Sequence, residues 1–126
     1  MSPQVVKVVI YETDLSVLRY LTRLVKDCGY SVQAGVSALA ALKSELGRET
    51  PPDLLIISEA RPSEALRAVQ RIQPAASPIV LCIDGELPAT KSRLEEMGVV
   101  AIVRRNTEYI GCLIGAISRS SRKECL

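Results

Sequence analysis

The sequence predicts an α/β domain: a five-stranded parallel sheet with helices on both faces. Three observations carry this. Short aliphatic runs, such as Val5–Ile10, Leu54–Ile57 and Ile79–Ile83, alternate with segments of helical spacing. Apart from Lys7, the runs are apolar throughout rather than polar at every second position, as in strands buried on both faces. The run Leu54–Ile57, in PPDLLIISEARP, passes directly into polar residues, as a strand does when its C-terminal end reaches a crevice.

Each element has its own signal. Val5–Ile10 is a buried strand, and the polar Glu12, Thr13 and Asp14 that follow are a loop. Asp14 caps a helix carrying Val17, Leu18, Leu21, Leu24, Val25 and Cys28 at helical spacing, with Gly29 as its stop. Ser31–Ala34 is a weak second strand. Ser37 caps a helix with Ala38, Ala41 and Leu42 on one face, ending near Gly47. Pro62 and Ser63 open a short helix holding Leu66, Val69 and Ile72, and QPAASP breaks it. After the fourth strand comes the turn DGELP, with Pro88 near the first turn of a helix that includes Leu94 and Met97 and stops at Gly98. Val100–Val103 is the fifth strand. Thr107 caps a last helix whose Ile110, Leu113, Ile114 and Ile117 form one stripe.

The bulk numbers narrow the function. The chain's 126 residues suit one domain, 1–126, with a core of about 5–120 and a tail or linker start at 119–126. No histidine is present, which removes Ser-His and Cys-His nucleophiles and most zinc sites. The four cysteines form no CxxC pair, and reduced thiols point to the cytoplasm. No signal-peptide pattern and no apolar run of membrane-spanning length is found. A net charge of +2 argues neither for nor against nucleic acid, and Arg104, Arg105, Arg119, Arg122 and Lys123 read as a solvated surface rather than a nucleic-acid patch because no aromatic residues interleave them.

Alternating strands and helices call for right-handed crossovers, and the flavodoxin-like order 2-1-3-4-5 is one common solution. The winding then reverses between strands one and three. The chain resembles the receiver domain of bacterial response regulators over about residues 5–120. KVVIYETDLSVLRYLTRLVKDCGYSV is similar to the first strand, acidic loop, first helix and second strand of that family. PPDLLIISEARP is similar to its phosphorylation strand, SPIVLCID to its fourth strand, and MGVVAIVRR to the run into its fifth.

The resemblance implies specific roles. The phosphate-accepting aspartate lies five residues after the Asp of a Pro-Asp-Leu opening and four before a proline. Counted from Asp53 and from Pro62, both spacings land on Ser58. The family's acidic metal-binding pair falls on Glu12 and Thr13, its switch hydroxyl on Ile83 and the small residue after it on Asp84. Its switch aromatic falls on Ile102, its lysine on Arg105 and the following proline on Asn106. A serine cannot form an acyl phosphate and lacks a base here, and Mg²⁺ usually takes a couple of carboxylates. The resemblance thus implies a degenerate phosphorylation pocket of Glu12, Thr13, Ser58, Ile83, Asp84 and Arg105, with no catalytic residue, metal or cofactor.

Ser58 reads as a filler for a lost aspartate ahead of a nucleophile. Glu12 reads as an ion-pair partner of Arg105 or Arg61 ahead of a metal ligand. Glu59 reads as a solvated loop charge. The function expected is a non-enzymatic signalling module acting through protein contacts without aspartyl phosphorylation. The partner is another protein or an attached output domain, and a homodimer through the fourth helix, fifth strand and fifth helix is one form of it. Two alternatives stand beside it: a phosphorelay receiver using Glu12, Glu59 or Asp84, and a small-anion-binding domain using Arg61 and Arg105.

Overall fold

The structure, a computed structural model, describes residues 6–105 and 109–121. Five strands, β1 (Lys7–Glu12), β2 (Ser31–Val36), β3 (Leu54–Ser58), β4 (Ile79–Ile83) and β5 (Val99–Arg104), form one parallel sheet in the order β2-β1-β3-β4-β5. Helices α1 (Leu15–Asp27), α2 (Leu39–Leu46), α3 (Pro62–Arg71), α4 (Lys91–Glu96) and α5 (Tyr109–Ser121) connect and follow them. This is the predicted fold and strand order.

The aliphatic runs are explained by a core on each face. On one side Val8, Ile10, Leu54, Ile56, Val80 and Cys82 meet Leu18, Leu21 and Val25 of α1 and Leu113, Ala116 and Ile117 of α5. On the other, Val9, Leu55, Ile57, Ile79 and Leu81 meet Leu42 of α2, Ala68 and Val69 of α3 and Leu94 of α4. Side chains alternate along a strand, so each central strand feeds both cores. Every residue of β3 and β4 is buried, and each large aliphatic removed from water contributes about 1.5–3 kcal/mol.

The helix ends follow local chemistry, with some corrections. Asp14 caps α1, its carboxylate accepting from the backbone N–H groups of Ser16 and Val17. Gly29 follows α1 at φ +94°, a conformation costly for a side chain, and lets the chain turn into β2. Ser37 does not cap α2; the cap position is Ala38, whose methyl accepts no hydrogen bond. Pro88 lies in the loop before α4, where Thr90 accepts the backbone N–H of Arg93 and starts the helix. The last helix runs to Ser121, so residues 119–121 are helical rather than the start of a tail, and no Gly or Pro there breaks the turn. Asn106, Thr107, residues 122–126 and the side chain of Ile110 lie outside what is described.

Strand ends also extend past the expected limits. β1 reaches Glu12 rather than Ile10, and β3 reaches Ser58. In the parallel register Glu12 stands directly beside Ser58. That pairing builds the site.

Candidate functional site

Alternation decides what converges at the C-terminal strand ends. Glu12 shares a sheet face with Val8 and Ile10, and Ser58 shares it with Leu54 and Ile56. Arg105 follows β5 two residues after Val103, which packs into that same core. The backbone N–H of Arg105 donates to the Ile83 carbonyl at 2.9 Å, fixing the residue beside β4.

Three side chains close a ring. The Ser58 hydroxyl donates to Glu12 Oε2 at 2.6 Å. Arg105 Nη2 donates to both that carboxylate oxygen and the Ser58 hydroxyl. Glu12 Oε1 accepts the backbone N–H of Asp14 at 3.1 Å. Glu12 and Ser58 are buried, and the Arg105 side chain is 17% exposed. A carboxylate this deep must be compensated, and the charge-assisted contact with a guanidinium does so. Arg105 Nε is buried without a partner among the described residues. A lysine has no such nitrogen, so the unpaired donor comes with the choice of arginine here.

The remaining pocket residues stand apart from the ring. Thr13 is exposed, its hydroxyl 3.5 Å from Glu59 Oε2. Asp84 is exposed and, among the described residues, its carboxylate makes no hydrogen bond or ion pair; its backbone N–H meets the Ala60 carbonyl at 3.2 Å. Arg61 is exposed at the start of α3 and makes no ion pair among the described residues. Of the expected charge pairs, therefore, only Arg105 with Glu12 forms. Ile83 is fully buried on the opposite sheet face, toward α4. Ile102 lies on that face too, 42% exposed.

Three residues matter more than their sequence positions suggested. Glu59 is half-buried rather than solvated. Burial raises its carboxyl pKa above the ordinary range, the negative charge of Glu12 adds to this, and Arg105 opposes it. The Tyr11 phenol is raised by burial first and then by Glu59 and Glu12. Arg104 reaches the opposite face from Arg105 and holds the loop before α4: it donates to the Gly85 carbonyl and pairs with Glu86 at 3.0 Å. The signal available for this was the adjacency of two arginines at a strand end, since neighbours on a strand point to opposite faces.

No family model matches the chain, and no curated protein matches it. Solved structures do. A protein named for pilus assembly from Burkholderia pseudomallei is 24% identical, with a TM-score of 0.65 over 92% of this chain and 89% of that one. The signal receiver domain of a diguanylate cyclase from Desulfovibrio desulfuricans is 14% identical, with a TM-score of 0.75 over 97% and 98%. A response regulator receiver protein from Burkholderia phymatum is 18% identical, with a TM-score of 0.70 over 92% and 94%. At these identities the likeness establishes the receiver-domain fold.

Proposed function

We propose that this domain is a receiver-like signalling module that works through protein contacts and takes no phosphate on an aspartate. The observation that carries this is the ring of Glu12, Ser58 and Arg105 at the strand ends where the resemblance locates phosphorylation. Ser58 offers no carboxylate. Its hydroxyl is held by a carboxylate on one side and a cation on the other, so its oxygen is engaged by both neighbours. The donor set does not suit Mg²⁺ either. Glu12 is the one acid in the ring, and it already accepts from a backbone N–H, a hydroxyl and a guanidinium.

The contact surface this reading favours is the groove between α4 and β5. It holds about 350 Å³ and is lined by Ile83, Leu94, Val100 and Ile102 among others. Val100 and Ile102 are 43% and 42% exposed, which leaves an apolar strip for a partner protein, an attached output domain or a second copy.

Incubation with acetyl phosphate and Mg²⁺, read by intact mass, tests the proposal. Unchanged mass is expected, for the natural chain and for Ser58→Asp alone, since Arg105 and Thr13 remain. One added phosphoryl group with acyl-phosphate lability, on Glu12, Glu59 or Asp84, would overturn the proposal in favour of phosphorelay.

A further inference from the structure

A second open surface lies at the other edge of the sheet. β2 is the outer strand, and its residues Ser-Val-Gln-Ala-Gly-Val carry no charge and no proline, two devices that commonly protect a strand edge. The register with β1 shifts at Gln33, so a bulge marks that point, and Ala34–Val36 pair regularly beyond it. Beside this edge stands α1, with Arg19, Arg23 and Lys26 at four- and three-residue steps along one face. Together with Leu18, Thr22 and Gly35 they line an open groove of about 450 Å³. None of the three cations makes an ion pair among the described residues. Gly35 lies under the helix: a Cβ there would come within 3.1 Å of Thr22 Oγ1 and 3.2 Å of Leu18 Cδ1, so its lack of a side chain lets strand and helix approach.

We propose that the outer edge of β2 and the basic face of α1 accept an extended acidic segment of a partner protein. The segment adds as a further strand, its backbone pairing with the edge and alternate carboxylates meeting Arg19, Arg23 and Lys26. An open strand edge serves a peptide backbone. Nucleic acid is served poorly, because the groove holds no aromatic ring on which bases could stack. This surface is separate from the crevice and does not depend on how the ring of Glu12, Ser58 and Arg105 behaves.

The test is an amide NMR titration of the whole chain with a synthetic peptide of alternating Glu and Val, beside one of alternating Lys and Val and a single-stranded DNA oligomer. Shifts from the Glu peptide are expected to concentrate in Ser31–Val36 and α1. Arg19→Glu with Arg23→Glu, both exposed and so compatible with folding, should weaken binding about tenfold or more, and Gly35→Val should weaken it by lifting the helix from the strand. The proposal is overturned if the Glu peptide fails to bind at low ionic strength, if its shifts map elsewhere, or if the Lys peptide binds equally well. It is also overturned if the charge-reversed variant keeps its affinity, or if the DNA binds this face more tightly than the Glu peptide.

Discussion

Arg105 and Glu12 depend on each other. Glu12→Gln keeps the shape and the serine contact but leaves the guanidinium without its counter-charge. Breaking a well-buried pair costs about 3–5 kcal/mol and an exposed one about 0–1 kcal/mol. Glu12 is buried and Arg105 only partly exposed, so a loss of about 2–3 kcal/mol in urea unfolding is expected. The double variant Glu12→Gln, Arg105→Met should lose less than the sum of its single changes, because the two act as one unit. Strict additivity would show that the ring does not couple them. Glu59 gives a pH signature. Its folded-state pKa is raised, so the folded chain holds that proton more tightly than the unfolded chain does. Between the two pKa values stability must therefore fall as pH rises. Glu59→Gln removes that fall, so the variant should gain on the natural chain as pH rises above the ordinary carboxylate range. A variant that instead lost ground with rising pH would show that the carboxylate is favoured in the fold.

Among the elements, α1 and the loop before α4 make the sharpest contrast. α1 begins at a cap legible in the sequence, and Asp14→Ala should cost about 1 kcal/mol by leaving the first-turn N–H groups unpaired. The same aspartate contributes its backbone N–H to Glu12, so the start of the helix and the carboxylate of the ring are held together. The loop Asp84–Thr90 has no strand or helix of its own. Arg104 holds it through Gly85 and Glu86. Arg104→Ala should raise hydrogen exchange across residues 84–90 and leave β1 and β3 unchanged. Protection unaltered by the substitution would mean that backbone contacts hold the loop and the arginine is incidental.

For the whole molecule, the expectation is one dominant conformation. Ile83 is fully buried and β-branched, and Ile102 on the neighbouring strand has no ring to swing. Coupling between the crevice and the α4–β5 surface needs an element with two arrangements that both ends bias, and neither isoleucine supplies one. Relaxation dispersion should find little millisecond exchange at Ile83, Ile102 and residues 84–88; exchange spreading from that loop into α5 would contradict a fixed surface. The sequence by itself determined the layered parallel fold, because short apolar runs alternating with amphipathic helices are buried by a sheet covered on both faces. It also determined Asp14 as a cap and the polar Ser58 as the end of the third strand, since both depend on chain-local spacing. It misread the starts of α2 and α4: the cap of α2 falls one residue later than Ser37, at Ala38, and α4 starts from Thr90 rather than at Pro88. Only the tertiary structure decided that Glu12 lies in register with Ser58, that Arg105 rather than Arg61 reaches them, and that Ile83 turns to the opposite face. Those outcomes depend on which strands are neighbours, where each one ends and which way its last residues point. Distances between residues 46 and 93 positions apart in the chain follow from that arrangement and from nothing local.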